Sequence, residues 1–252
     1  MQPDTSLEAV CYPAANFEPR REGALVSILL LHYTGMASAE KAVEWLCSAE
    51  SRVSCHYLID EAGGVTQMVS EQMRAWHAGD SYWAGETDIN SVSIGIEIHN
   101  PGHGLAYSNF PEKQMQAVEA LCLDIVARHR IRPEQVLGHS DVAPWRKSDP
   151  GEKFDWGRLA GAGVGHWVEP ARIEGDAGFG LGDEGPEIAG LQQQLADYGY
   201  RCEAGGVFDD ATEFVVTAFQ RHFRPALVNG RADHSTMDTL GRLLAGRSLL
   251  GS

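Results

Sequence analysis

The hydrophobic positions of the first 100 residues fall into short runs that predict strands. Residues 25–31 ("LVSILLL") form an apolar run that ends at His32 and predicts a strand buried on both faces. The segments "CHYLID" and "VTQMV" flank "EAGG", whose glycines are typical of a turn, so this stretch predicts a hairpin. Residues 91–100 ("SVSIGIEIHN") alternate small or polar residues with isoleucine and predict a further strand.

Two segments of the same region carry apolar residues at helical spacing. Residues 38–50 begin with Ser38, a residue type suited to an N-cap, and residues 111–129 begin with Pro111, which suits a first helical turn. The apolar positions of these predicted helices are Ala42, Val43, Trp45 and Leu46 in the first, and Met115, Val118, Cys122, Ile125 and Val126 in the second. Strands and helices around one core predict an α/β or α+β domain over residues 1–160.

The pattern changes after about residue 160. Residues 161–182 are rich in glycine and predict a linker, although Trp167, Val168 and Ile173 indicate that part of it packs on a neighbour. Residues 183–252 contain three stretches with apolar residues at helical spacing, "PEIAGLQQQLADYGY", "ATEFVVTAFQRHF" and "HSTMDTLGRLLAG". They predict a small all-α domain of three helices, close to the lower size limit for a core that is stable alone.

Composition and charge exclude some partners. The formal net charge is −15, which disfavours nucleic acid and acidic membrane surfaces as partners. The longest apolar run is too short to span a bilayer, and the N-terminal residues lack the pattern of a secretory signal. The five cysteines contain no C-x-x-C pair and suit a reducing compartment. We therefore expect a cytoplasmic protein, with the periplasm as the alternative.

Residues 138–151 ("GHSDVAPWRKSDPG") concentrate chemically active side chains between prolines and glycines. Pro144 and Pro150 disfavour a regular helix, so we expect a loop that presents polar groups. A catalytic zinc ion usually has three protein ligands and one open position. His139 and Asp149 of this loop, together with His32 at the end of a buried strand, could converge on one ion. The alternative is that each histidine is an ordinary core or surface residue.

Two further residues extend this hypothesis. Glu97 lies in an otherwise apolar strand, where a buried carboxylate is costly unless it is paired or used. It could form a salt bridge, or it could act as a general base with a raised pKa toward a water at the metal. Lys147 could stabilise an oxyanion beside the metal or could simply face solvent. The chain contains neither an H-E-x-x-H motif nor a G-x-S-x-G motif, which argues against the common metalloprotease and serine hydrolase designs.

Several segments of residues 25–160 resemble, in the same order, the zinc-dependent N-acetylmuramoyl-L-alanine amidases of the AmpD/AmiD type, which are related to peptidoglycan recognition proteins. The matching segments are "LLLHYTG", "VSCHYLIDEAGGVTQMV", "RAWHAG", "SIGIEI", "GHSDVAPWRKSDPG" and "FDW". The resemblance implies a mixed sheet flanked by helices with the metal at one end of the sheet. It implies one zinc ion held by His32, His139 and Asp149, with Glu97 as the catalytic carboxylate and Lys147 as the transition-state stabiliser.

The resemblance also implies a substrate. The family cleaves the amide between the lactyl group of N-acetylmuramic acid and L-alanine of the stem peptide, and the sequence leaves open whether the 1,6-anhydro sugar is preferred. His77, Trp76, Arg74 and Tyr33 lie in or beside matching segments and are candidates for substrate binding, whereas we expect His56 to be structural. The expected partners are muropeptides or peptidoglycan.

The C-terminal residues resemble the three-helix peptidoglycan-binding module, through "LQQQLADYGY", "GGVFDDATEFVVTAFQ" and "NGRADHSTMDTL". The alternative for this region is an accessory domain that only stabilises the protein. Two alternatives to the amidase also remain open. One is a recognition protein that binds peptidoglycan without cleaving it, a class that typically lacks a metal ligand, and the other is a zinc hydrolase of another amide.

Overall fold

The computed structural model describes residues 2–250, with side chains as far as residue 247, so the outer ends of both predicted domains lie outside the described residues. The strands within it are β1 (Val10–Cys11), β2 (Phe17–Pro19), β3 (Ile28–Tyr33), β4 (Tyr57–Ile59), β5 (Val65–Gln67), β6 (Met73–Ala75), β7 (Ser93–Ile98) and β8 (Val136–Gly138). The helices are α1 (Ala39–Cys47), α2 (Ile89–Val92), α3 (Glu112–His129), α4 (His139–Val142), α5 (Trp156–Gly161), α6 (Pro186–Tyr198), α7 (Asp210–Phe223) and α8 (His234–Leu250).

Six strands form a mixed sheet in the order β1-β5-β4-β7-β3-β8, and β2 pairs separately with β6. β3 lies between β7 and β8 and is parallel to both, while β4 and β5 form the predicted antiparallel hairpin. Because β3 has a neighbouring strand on each side and is covered on both faces, residues 28–32 are buried. The predicted strand is therefore confirmed from residue 28, but Leu25 is 81% exposed and precedes it.

The predicted helices around the sheet are present. Ser38 caps α1 because its hydroxyl accepts a hydrogen bond from the Lys41 N–H at 3.3 Å, and α3 begins directly after Pro111. α1 buries Ala42 and Leu46, but Trp45 is 48% exposed, so only part of the predicted apolar face packs on the core. The prediction of a mixed sheet flanked by helices is confirmed.

The three predicted C-terminal helices are α6, α7 and α8. Their core is continuous with apolar residues of the sheet region, because one buried cluster contains residues from both parts, among them Trp83, Leu137, Val142, Leu191, Tyr200 and Phe219. The glycine-rich segment between the two parts also packs, since Val164 and His166 are buried. The exact domain boundaries stay a prediction, and the structure adds that the two parts share one core.

The close approach between the two parts requires a glycine. Gly199 has a φ of +134°, and a Cβ atom at this position would lie 2.7 Å from the Trp83 ring. The carbonyl of Gly199 accepts a hydrogen bond from the Ala84 N–H at 2.8 Å. Backbone and aromatic contacts therefore join the start of the C-terminal region to the sheet region.

Across residues 2–250, no helix combines the length and the apolar composition needed to cross a membrane.

Candidate metal centre and active site

The carboxyl ends of three parallel strands bring the candidate residues together. His32 and Glu97 are direct partners in the β3–β7 ladder, and Leu31 pairs with Gly138, the last residue of β8. His139 follows Gly138 immediately, so it lies beside His32 at the carboxyl ends of the strands. In sheets of this kind ligands bind outside the carboxyl ends of the strands.

Three of the predicted ligands converge. The Nδ1 atoms of His32 and His139 lie 2.9 Å apart, and each lies 3.1 Å from Oδ2 of Asp149. All three side chains are buried, and their donor atoms form a group that could hold a metal ion. The loop is held in place because the Ser140 N–H donates a hydrogen bond to the Asp149 carbonyl at 2.9 Å.

The protonation of this group fits a metal site. Nε2 of His139 lies 3.1 Å from the Ala78 carbonyl, an acceptor to which it can donate, and in that tautomer Nδ1 keeps a lone pair for a metal ion. Burial and the neighbouring His139 lower the pKa of His32 to about 4, so the imidazole is neutral. Burial alone would raise the pKa of Asp149, but the two imidazoles outweigh it and hold the pKa well below its usual range. Two imidazole nitrogens and a carboxylate oxygen are suitable ligands for zinc.

His77 contacts the ring nitrogen of His32 that faces away from the metal-binding group. Nε2 of His32 lies 3.1 Å from Nδ1 of His77, and Nε2 of His77 lies 3.3 Å from the Ser93 hydroxyl. With Nδ1 of His32 reserved for a metal, each Nε2–H donates to the next group in this chain. Metal-binding histidines commonly donate their second N–H in this way, which fixes the orientation of the ring. His77 lines the cavity described below, but its ring is engaged at both nitrogens.

His56 is structural, as expected. Its Nδ1 accepts a hydrogen bond from the Gly95 N–H at 3.0 Å, and its Nε2 lies 3.1 Å from the Met73 carbonyl. Burial, assisted by the nearby Arg20 guanidinium, lowers the pKa of His56 to about 3. The neutral ring therefore ties β6 to β7 and is not directed at the metal-binding group.

Glu97 is the unusual carboxylate of the site. Its Oε2 atom is buried and has no hydrogen-bond partner. Burial and the nearby Asp149 carboxylate raise the pKa of Glu97 well above its ordinary value, although Lys147 opposes this effect. Buried polar atoms without partners are rare, and they mark places where a substrate or water is expected to bind.

These groups share one cavity of about 430 Å³. Its lining includes the three metal-binding candidates, Glu97, Lys147, Tyr33 and Trp76, and an apolar rim of Met36, Trp45 and Val53. The Tyr33 hydroxyl lies 2.9 Å from the Ser148 hydroxyl and 3.1 Å from Nδ1 of His103. Nε1 of Trp76 is buried without a partner and is free to donate. The cavity thus combines polar groups at its base with aromatic side chains along its wall.

Arg74 does not belong to this group. Its guanidinium is paired with Glu18 at 2.5 Å and with Asp88 at 3.0 Å, and Arg74 is not among the residues that line the cavity. Both carboxylates lie on neighbouring elements, so Arg74 joins β6 to β2 and to the start of α2. The predicted contact between Arg74 and a substrate is therefore not supported, because its donors are already used.

The predicted loop is also partly wrong. Residues 139–142 form α4, a single helical turn in which the Ala143 N–H donates to the His139 carbonyl at 3.0 Å. Asp141, to which the sequence assigned no role, caps this turn by accepting a hydrogen bond from the Gly138 N–H at 2.7 Å. Pro144 ends the turn, and the remaining residues form the expected loop. The only sequence feature that indicated this cap was the acidic residue itself, two positions after His139.

Comparison with known proteins agrees with the site. Residues 22–152 match the N-acetylmuramoyl-L-alanine amidase family, and residues 184–240 match a putative peptidoglycan binding domain. N-acetylmuramoyl-L-alanine amidase AmiD of Escherichia coli (strain K12) is 38% identical over 235 residues, which cover 87% of this chain and 82% of AmiD. The chain therefore belongs to the N-acetylmuramoyl-L-alanine amidase family, and the predicted enzyme class is confirmed at this level.

Two further comparisons locate the similarity. The structure of E. coli AmiD with its substrate, anhydro-N-acetylmuramic acid-L-Ala-D-gamma-Glu-L-Lys, matches with a TM-score of 0.76 at 36% identity, and covers 90% of this chain and 92% of that chain. The 1,6-anhydro-N-acetylmuramyl-L-alanine amidase AmpD of Salmonella typhimurium (strain SL1344) is 32% identical over 178 residues. That match covers 93% of AmpD but 63% of this chain. The similarity to AmiD thus extends over more of this chain than the similarity to AmpD.

Proposed function

We propose that this protein hydrolyses the amide bond between N-acetylmuramic acid and L-alanine of peptidoglycan stem peptides. The observation that carries the proposal is the placement of three metal-binding side chains and an unpartnered carboxylate oxygen of Glu97 in one cavity. Membership of the amidase family and the similarity to AmiD support the choice of bond.

We infer that His32, His139 and Asp149 hold one zinc ion through Nδ1, Nδ1 and a carboxylate oxygen. Bound there, a zinc ion would polarise the carbonyl of the scissile amide and would lower the pKa of a water molecule. His77 and the Ala78 carbonyl keep the two imidazoles oriented, since they occupy the second ring nitrogens. The residues of the chain then supply the proton transfers.

Glu97 acts as the general base and acid. Its carboxylate removes a proton from the attacking water, whose oxygen bonds to the carbonyl carbon of the scissile amide. It then delivers that proton to the leaving nitrogen of L-alanine as the C–N bond breaks, so that one water is consumed and a free acid and a free amine are released. A carboxyl group with a raised pKa suits both transfers. Lys147 lies in the cavity wall, where its ammonium offsets the negative charge that develops on the carbonyl oxygen.

Tyr33 and Trp76 are the proposed contacts to the substrate. Both line the cavity, and each offers an aromatic surface with a polar hydrogen-bonding atom at one end. The substrate in the E. coli AmiD complex is an anhydromuropeptide. We therefore propose that soluble 1,6-anhydro-muropeptides are substrates, and that the C-terminal helices add affinity for the polymeric wall.

The test is a paired assay of the purified full chain. Bound zinc is measured, and the protein is incubated with an anhydromuropeptide and with intact sacculi, with and without a chelator. We expect chelator-sensitive release of free stem peptide, and we expect His139→Ala to lose both zinc and activity while the exposed His234→Ala variant keeps both. Zinc binding without cleavage of either substrate would instead identify a recognition protein. The presence of the complete set of ligands disfavours that second function.

The compartment stays a separate proposal. All five cysteines are free thiols, which suits the cytoplasm better than an oxidising compartment. Detection of the native protein in cytoplasmic rather than periplasmic fractions is the expected result, and recovery from the periplasm would favour turnover of the wall over recycling of imported fragments.

A further inference from the structure

The metal-binding helix is held by the C-terminal region. Asp141 lies in α4, two residues after His139, and is 1% exposed. Its carboxylate accepts three hydrogen bonds of 2.7 Å, from the Gly138 N–H, the Tyr200 hydroxyl and Nδ1–H of His222. Gly138 belongs to the sheet region, whereas Tyr200 follows α6 and His222 lies in α7. Two of the three donors to this buried carboxylate therefore come from the C-terminal helices.

Both donors are themselves fixed by packing. The His222 ring stacks on Trp156 with 3.7 Å between ring centroids and on Phe223 with 3.8 Å. The Tyr200 ring packs against Trp83 at 4.9 Å, next to the close approach of Gly199. Tyr200 is fully buried, and its pKa is raised well above the ordinary value by burial and by Asp141, so the hydroxyl stays protonated and donates. The bonds to Asp141 are thus made by rings that cannot turn away without repacking the shared core.

α4 depends on such external support. It is one turn long, and a single helical turn is not stable alone because nucleation fixes several residues for few hydrogen bonds. His139 is the first residue of this turn, so the direction of its imidazole follows the orientation of the turn. The capping bond from Gly138 and the bonds from Tyr200 and His222 all end on the same carboxylate. A shift of Asp141 therefore moves the peptide that carries the ligand.

We propose that Tyr200 and His222 are positioning residues of the metal centre, which hold Asp141 and through it the helical turn that presents His139. The proposal rests on the proposed zinc site. It assigns the C-terminal helices a role in the catalytic unit itself, besides any affinity for the wall. Neither Tyr200 nor His222 touches the metal-binding group, and their effect passes through α4.

The test uses conservative variants of the full chain. Tyr200→Phe removes one oxygen atom, and His222→Phe keeps a stacking ring but removes the donor. His222→Asn places an amide N–H near the position of Nδ1 and is the rescue variant. Tyr198→Phe is the matched control, because Tyr198 is equally buried in the same segment, but its hydroxyl lies 3.0 Å from Nδ1 of His166 and not at α4.

The principal readout is zinc affinity, measured by competition with a chromogenic chelator, with kcat and KM for a soluble muropeptide measured beside it. Groups that orient metal ligands typically change affinity or activity by tenfold or more, so we expect Tyr200→Phe and His222→Phe each to weaken zinc binding about tenfold. In the same two variants we expect kcat to fall and KM to stay unchanged. We expect His222→Asn to recover most of the zinc affinity and Tyr198→Phe to bind zinc as the parent chain does.

Two results would overturn the proposal. One is folded Tyr200→Phe and His222→Phe proteins with parental zinc affinity, and the other is a Tyr198→Phe variant that loses as much affinity as they do. Tyr200→Phe alone decides the matter if the bulkier change at His222 prevents folding. Because zinc affinity is measured without substrate, failure of the parent chain to cleave muropeptides would refute the proposed reaction and leave this test intact.

Discussion

Glu97 and His32 are direct partners in the parallel register of β7 and β3. The side chains of paired residues in neighbouring strands project from the same face of a sheet, so the register itself places the carboxylate beside the ligand. A shift of one residue in the register of β7 would turn Glu97 to the opposite face of the sheet, which is packed with apolar side chains. The β3–β7 ladder thus positions both groups without help from a loop.

This relationship leads to a prediction for Glu97→Gln. The amide is nearly the same size but cannot take a proton, so we expect zinc binding to persist while kcat falls about 10²- to 10⁴-fold, the usual contribution of a general base. The measurements are zinc content and steady-state hydrolysis of an anhydromuropeptide. Glu61→Gln is the control, because Glu61 is an exposed carboxylate at 3.1 Å from His99. Turnover that survives in Glu97→Gln would place the base elsewhere.

Lys147 leads to a separate prediction. If its ammonium interacts with the substrate only as charge develops in the transition state, Lys147→Met should lower kcat about 10²- to 10³-fold and leave KM nearly unchanged. Lys113→Met, on the exposed face of α3, is the matched control for loss of a lysine charge. An increase in KM with an unchanged kcat would show that Lys147 contributes to ground-state binding instead.

The local pattern of the sequence was sufficient for the parts of the fold that depend on near neighbours. The run before His32, the hairpin, the helices α1, α3, α6, α7 and α8, and the Ser38 cap were predicted, because each follows from spacing within one element. The short helices α2, α4 and α5 were not predicted. His139 and Asp149 were candidate ligands because residues 138–151 combine them with residues that stop a helix, and the resemblance to the amidase family implied the full ligand set. The structure adds that the ends of β3 and β8 bring this segment to His32.

Features that depend on distant contacts could not be predicted in this way. The bonds from Tyr200 and His222 to Asp141 span 59 and 81 residues, and no periodicity within an element encodes them. The ion pairs of Arg74 could not be predicted for the same reason, since its partners Glu18 and Asp88 come from other parts of the chain. β1, β2, β6 and β8 were not predicted, because strands of two or three residues contain too few positions to show alternation. β4 and β5 are equally short, but the glycine turn between their apolar runs indicated them.

Glu71 provides a prediction about acid stability. This buried carboxylate accepts hydrogen bonds from Tyr57, Arg128 and His129 at distances of 2.5 to 2.7 Å. Burial alone would raise its pKa, but these bonds outweigh burial and lower the pKa from an ordinary value of 4.5 to about 2. A carboxyl with a lowered pKa stabilises the folded state fully above its ordinary value, and this stabilisation disappears as the pH falls toward about 2.

Glu71→Gln should therefore lower the free energy of unfolding by about 2–3 kcal/mol at neutral pH, with the difference from the parent chain shrinking below about pH 4.5. Urea unfolding at several pH values measures this difference. Glu112→Gln removes an exposed partner of Arg158 and should leave stability nearly unchanged at every pH, because solvent screens exposed ion pairs. A difference between Glu71→Gln and the parent chain that stays constant from pH 7 to pH 3 would contradict the assignment.

Gly95 connects the sheet to the orientation of His32. A Cβ atom at this position would lie 2.6 Å from Nδ1 of His77, the atom that accepts the hydrogen bond from His32. In Gly95→Ala the His77 ring must move, so we expect a loss of about 1–3 kcal/mol of stability from overpacking and about tenfold weaker zinc binding. Gly190→Ala is the control, because nothing lies within 4 Å of its new methyl group, and an alanine inside α6 should add about 0.5–1 kcal/mol. Thermal unfolding and chelator competition measure both effects. If Gly95→Ala matched the parent chain in melting temperature and zinc affinity, the support of His32 by His77 would have no role in the site.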